Sequence, residues 1–278
     1  MKTALTMIWM ATLAGFQGRA FAGLWLGNDT VGDVFQTSTT GAVITDLKNL
    51  PVTGIAFDGA SLYFADPSGN FTKRTADGAT ILSSFSIPSG DTGEDLAWDS
   101  KRKVLWRIVH TNVLQEINPS GSLITSFMIP TGDSVLGTLG GLGIAYDSKR
   151  DELDVSFCSA GCSSLAAGLV DRVNPATGLV LGMLFRTTGF ATGGLGYDPA
   201  ADSLWVGDLT TVRNMSRTGT VLSSFTRLSP GAFVDGLEFV ASVPEPSSVV
   251  LFGSGLALLA VTGILRHRRR GLRTPTTV

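Results

Sequence analysis

Three groups of residues in this chain have types and spacings that suit chemistry. Cys158 and Cys162 stand four apart in Phe157-Cys158-Ser159-Ala160-Gly161-Cys162, a run of small residues that reads as a loop. In an oxidising compartment this spacing favours a disulfide closing a tight hairpin, with free thiols as the alternative. A metal would want further ligands, and the two histidines are His110 and His267, the second set among arginines. Aspartates recur after short apolar runs, at Asp58, Asp99, Asp147 and Asp198, each followed by Gly, Ser or Pro. A ring of carboxylates there could bind a cation or move protons, but Asp in that setting is what a hairpin turn requires for its own hydrogen bonds. Glu94, Asp95 and Asp235 are better placed to face a ligand, Ca²⁺ included, because each opens an apolar strand-like run. A Gly-x-Ser-x-Gly elbow, a phosphate loop and a zinc spacing are all missing from the sequence, so it assigns no catalytic residue and no cofactor.

The elements that position these residues repeat. A small-apolar-small-aromatic signature recurs as Gly54-Ile55-Ala56-Phe57, Asp95-Leu96-Ala97-Trp98, Gly143-Ile144-Ala145-Tyr146, Gly194-Leu195-Gly196-Tyr197 and Gly236-Leu237-Glu238-Phe239, its aromatics 41, 48, 51 and 42 residues apart. Periods of roughly 40 to 50 residues with strand-like content point to propeller blades rather than helical repeats. Each of the first four signatures is followed by its turn Asp and then by a second strand, as in Leu62-Tyr63-Phe64 or Leu204-Trp205-Val206. A turn with Gly, such as Ala76-Asp77-Gly78 or Pro119-Ser120-Gly121, precedes an alternating fourth run, with Ser-Ser-Phe or Thr-Ser-Phe echoes at Phe85, Phe127 and Phe225. The first unit lacks an opening signature, and the last signature has no blade after it. Together they complete one blade, so the reading is all-β: a five-bladed propeller of four-stranded blades, over 23–242, closed by its N- and C-terminal strands.

Both ends read as address labels. Lys2, the apolar stretch from Leu5 to Phe16 and Ala20-Phe21-Ala22 form a signal peptide (1–22) with a helical apolar core, cleaved so that the chain starts at Gly23. At the other end, Val243-Pro244-Glu245-Pro246 precedes a run from Val249 to Leu265 with no charge, and then Arg266, Arg268, Arg269 and Arg270. As a helix, 249–265 would be roughly 25 Å long, enough for a short transmembrane span. The arginines would hold its end in the cytoplasm and leave the propeller outside. A short polar tail, 271–278, follows. Residues 23–242 carry 14 Lys and Arg against 22 Asp and Glu, a net charge of −8, which argues against a nucleic acid partner.

The order Pro-Glu-Pro, apolar helix, arginine cluster over 243–270 resembles the PEP-CTERM sorting signal. That resemblance implies an exported protein, recognition and cleavage by an exosortase-type membrane enzyme, and association with exopolysaccharide or a biofilm. The signature, turn Asp and Leu-Trp strand of the core resemble NHL, streptogramin-lyase and gluconolactonase-like propellers. Those enzymes carry a channel histidine or a metal set, for which this core offers only His110. The function expected is therefore a non-catalytic cell-surface or matrix protein, its propeller binding a protein or polysaccharide. The competing class is a hydrolase or lyase acting in the central channel. A scaffold for other envelope proteins is a third.

Overall fold

The computed structural model describes residues 22–241, apart from Asp29, Val31, 88–92, His110, Thr131, 134–136, 160–166, Thr210 and 227–232. Among the described residues every regular element is a strand. The chain opens with β1 (Gly23–Asn28), β2 (Asp33–Ser38) and β3 (Val43–Leu47). Blade 2 is β4 (Gly54–Phe57), β5 (Ser61–Ala65), β6 (Asn70–Thr75) and β7 (Ile81–Ser86). Blade 3 is β8 (Gly93–Asp99), β9 (Val104–Val109), β10 (Val113–Asn118) and β11 (Ser122–Met128). Blade 4 comprises β12 (Gly132–Asp133), β13 (Gly137–Asp147), β14 (Glu152–Ser159), β15 (Gly168–Val173) and β16 (Val180–Arg186). Blade 5 is β17 (Leu195–Asp198), β18 (Ser203–Gly207), β19 (Thr211–Ser216) and β20 (Val221–Thr226), and β21 (Gly236–Val240) follows.

β21 pairs antiparallel with β1, Gly236 opposite Gly27 and Val240 opposite Gly23, so the last strand completes blade 1 in the order β21-β1-β2-β3. The expected five-bladed propeller and its closure are therefore present. The one addition is β12, a two-residue strand that lengthens blade 4 by pairing with the start of β13.

Burial falls from the axis outward. The second strands are buried at every described position but Glu152, as in Gly23–Asn28 and Val104–Val109, whereas the fourth strands Ile81–Ser86 and Val221–Thr226 are exposed at all but one position. The core is divided into five apolar clusters, one at each junction between neighbouring blades. Trp25 and Phe64 meet between blades 1 and 2, and Leu24 and Trp205 between blades 1 and 5. Each sheet thus buries both faces against its neighbours, and the ring shields itself when closed.

Hairpins at one end tie the blades together. Each turn glycine between third and fourth strands packs on the fourth strand of the preceding blade: a Cβ would come within 2.8 Å of Leu47 at Gly78, 2.7 Å of Phe85 at Gly121, 2.4 Å of Phe127 at Gly178, 2.9 Å of Phe185 at Gly219 and 2.6 Å of Phe225 at Gly41. The recurring edge phenylalanines are these seats. Every blade also carries a bulge between its third and fourth strands. In blade 2, for example, Lys73 faces Ser83 and Arg74 faces Ile81, which leaves Leu82 as the extra residue. The alternating reading of the fourth strands expects one residue of each aliphatic pair inside; the bulge instead exposes both, as at Ile81 and Leu82.

Gly59 and Gly121 both adopt positive φ, +93° and +99°, but only Gly121 touches a neighbouring blade. We expect Gly59→Ala to cost about 1 kcal/mol, from backbone strain alone. Gly121→Ala should cost about 1–3 kcal/mol more, from overpacking against Phe85. Denaturant unfolding of the two variants side by side checks this, and equal costs would refute packing of the turn on the adjacent blade.

Candidate functional site: the propeller axis and its loop face

The five innermost strands β4, β8, β13, β17 and β21 neighbour one another around the axis. The first signature position holds Gly54, Asp95, Gly143, Gly194 and Gly236; the third holds Ala56, Ala97, Ala145, Gly196 and Glu238. Each level therefore has four small residues and one carboxylate. The glycines are there because the next strand leaves no room: a Cβ would come within 2.7 Å of Leu96 at Gly54, 2.2 Å of the Gly193 carbonyl at Gly143, and 2.8 Å of the Asp235 and Thr53 carbonyls at Gly194 and Gly236.

Asp95 occupies the space these glycines free. It is 1% exposed. Its Oδ1 accepts the Leu96 amide at 2.8 Å, and its Oδ2 accepts the amides of Ile144 at 3.2 Å and Leu195 at 3.0 Å. One carboxylate thus joins blades 3, 4 and 5. Burial pushes Asp95 well above the ordinary carboxylate range, the three amides pull it back, and the charge of Glu238 adds to the rise. Burial also raises Glu238, which stands one signature level away.

Of the residues the sequence singles out, Glu94 and Asp95 lie at the start of β8, and Asp235 immediately precedes β21. Glu94 and Asp235 are half-buried. No three His, Cys, Asp or Glu side chains among the described residues come together in a way that could hold a metal ion. The turn aspartates serve their turns. Asp58 Oδ1 accepts the amides of Ala60 and Ser61, Asp99 those of Lys101 and Arg102, Asp147 those of Lys149 and Arg150, and Asp198 those of Ala200 and Ala201. Sequence reading missed the bridges that extend these turns to the next blade. Arg102 donates to Asp151 at 2.6 and 3.0 Å, and Arg150 to Asp202 at 2.7 Å twice. The repeated Asp-Ser-Lys-Arg at 99–102 and 147–150 was the available signal. Both bridges hold their aspartates below the usual range.

The opposite end of the ring carries the links from second to third strands and from each blade to the next. Its described polar groups include Asp66, whose carboxylate takes the Asn70 amide and side chain at 2.8 and 2.7 Å, and Lys48, which pairs with Asp33 at 2.8 Å. Arg213 stacks on Phe190, 4.0 Å from ring centre to guanidinium carbon, and pairs with Asp208. This end can offer charge, amide and aromatic surface to a ligand. Cys158 is disulfide-bonded and, contrary to the loop expected, lies within β14, fully buried. Cys162 and His110 lie outside the described residues, as do Ala20 and the rest of 1–21 and everything from Ser242 on, the sorting residues and Arg266 to Arg270 included. Gly23 is the first residue of β1 and Ala22 packs on the blade 1 core. Among the described residues no helix is long and apolar enough to cross a membrane.

Comparison with known proteins identifies the tail. Residues 242–270 match the PEP-CTERM protein-sorting motif, which marks the chain for export and sorting. The fold is similar to that of a protein of unknown function from Bacteroides caccae, at 11% identity and a TM-score of 0.52 over 79% of this chain and 98% of that one. It is also similar to a chain of a nidogen/laminin complex, at 12% identity and a TM-score of 0.52 over 80% and 99% of the two chains. Myxococcus xanthus glutaminyl cyclase aligns at 17% identity and a TM-score of 0.49 over 80% and 92%. These likenesses are likenesses of fold. No curated protein matches the sequence.

Blade 4 departs from its neighbours in one core position. Where the other second strands carry Trp25, Tyr63, Trp106 and Trp205, it carries Asp154, with 0% exposure and bonds at 2.8 and 3.2 Å to Arg217 from the blade 5 turn. Burial pushes Asp154 up from 3.8 to about 6, against the pull of Arg217. The folded chain then holds this proton more tightly than the unfolded one. Its contribution to stability is complete below pH 3.8 and is lost as pH rises through about 6. Between pH 4 and pH 7 we expect the wild type to lose on the order of 3 kcal/mol relative to Asp154→Asn. Thermal unfolding at both pH values checks this; a gap that stays constant, or moves the other way, contradicts it.

Proposed function

We propose that this chain is an exported surface or matrix protein, whose propeller binds a protein or a polysaccharide through its loop face without catalysing a reaction. An exosortase-type membrane enzyme recognises the tail through Val243-Pro244-Glu245-Pro246 and cleaves it. The observation that carries the binding reading is the filled axis. Asp95 spends both oxygens on backbone amides, and glycine contacts draw the strands together around it. A small substrate held deep in a central channel would need free groups at that level. A ligand on the loops would not, and loops set on a rigid ring are where binding residues collect. An enzyme using Ca²⁺ would have to rely on Glu94 and Asp235 at the mouth.

For the tail, the physical support is the 17-residue uncharged run from Val249 to Leu265, followed by arginines. It is long enough to hold the precursor in the inner membrane with its propeller outside. Pro244 and Pro246 stiffen the segment just before it into an extended form that a processing enzyme can grip. Intact-mass analysis of the protein exported by native cells, beside a Pro244→Ala, Pro246→Ala variant, tests this. The native form should lack the segment after the Pro-Glu-Pro motif and the variant should retain it. A full-length tail in both would reduce the motif to a plain anchor.

A further inference from the structure

We propose that the hairpin end of the propeller is a lipid-facing surface, which seats the precursor on the bilayer through five aliphatic pairs at the blade rims. The bulge residues are Ile44, Leu82, Ile124, Leu181 and Leu222, and each is preceded by a second aliphatic residue. The bulge residues are 45–56% exposed. Exposed aliphatics scattered singly need no explanation. These are not scattered: every large exposed hydrophobic among the described residues lies on a fourth strand or, at Leu179, next to one, and the pairs repeat in all five blades.

Register places the pairs at one end of the ring. In blade 2 the row Phe57, Leu62, Arg74, Ile81 runs from the innermost strand to the rim. The pairs therefore stand level with the aspartate turns and away from the loop face. A strand-adding partner fits poorly, because a bulge at the same point of every edge disrupts the ladder it would extend. A flat apolar phase fits five pairs in a circle.

The chain itself says what that phase is. Val240 pairs with Gly23, Gly23 with Ser38, and the residue before it, Thr37, with Val43. The propeller thus releases its chain at Ala241, at the same end as the aliphatic pairs. Seven residues, Ser242 to Ser248, separate that point from the uncharged run. Fully extended they reach roughly 25 Å. Exposed Lys103 and Lys149 on the same hairpins would meet anionic headgroups. On release from the tail, the rims would be freed together.

This rests on the tail being membrane-inserted, so the test reads the two separately. The full chain, with its native cysteines left oxidised, is reconstituted in vesicles of phosphatidylethanolamine and phosphatidylglycerol. Spin labels are placed one at a time through Leu82→Cys, Leu181→Cys, Leu222→Cys and, on the loop face, Ser68→Cys. Flotation reports the tail. The rim labels should collide several-fold less with a water-soluble nickel chelate than the Ser68 label, and more with oxygen. Flotation with rim labels as open to nickel as Ser68 would overturn the lipid-facing surface while leaving the tail reading intact. Failure to float overturns both. Shielding that disappears when the chain is diluted with a large excess of lipid would assign the rim to a second copy instead.

Discussion

The axis has room for one side chain at the level where the signatures begin, and the rest of the ring is arranged around that limit. Gly54, Gly143, Gly194 and Gly236 let successive inner strands touch backbone to backbone, and Asp95 alone projects into what remains. A buried carboxylate costs several kcal/mol in lost hydration unless hydrogen bonds replace the water. Three amides do so here, two of them from other blades. Removing the carboxylate would leave those amides without this acceptor, at about 1–3 kcal/mol for each that finds no other. A glycine replaced at the same level would force the strands apart. The axis is thus sensitive in both directions, and that sensitivity fixes how the blades converge.

From that centre the two ends of the ring diverge in character. One end is closed by local chemistry: aspartate-capped hairpins, arginine bridges to the next blade, and turn glycines seated on the neighbour's fourth strand, four of the five on a phenylalanine. The bridging aspartates Asp151 and Asp202 are 29% and 35% exposed, so solvent screening leaves each bridge worth about 1 kcal/mol or less. Their value is in register more than in energy. The other end carries the links that vary from blade to blade, and there a ligand can be recognised without disturbing the ring. In the role proposed above, a propeller that stays folded while presenting a surface gains from this division.

Much of the fold was legible in the sequence, because a propeller repeats its grammar. The spacing of the signatures, the turn aspartates and the half-blades at the two ends are enough to predict five blades and the strand that closes them. The columns also held the axial logic, since an Asp among glycines and a Glu among alanines stand out once the five signatures are aligned. What that alignment does not supply is direction: whether Asp95 faces solvent or backbone depends on strands 49 and 100 residues away. The bulges were hidden for a related reason. A period of two assumes an unbroken ladder, and one extra residue turns both members of an aliphatic pair outward. Cys158 reads as loop because its neighbours are small, yet pairing with β13 and β15 extends the strand through it.

A propeller sorted for export needs a ring that holds itself shut, and Asp95 is where three of its five blades are most directly tied. Amide hydrogen exchange at Ile144 and Leu195, in the wild type and in Asp95→Ala, measures that tie. The account predicts that both amides are among the slowest to exchange in the wild type and that both are strongly accelerated in the variant, beyond any general loosening of blade 2. Rates at these two positions that are unchanged by the substitution would contradict it.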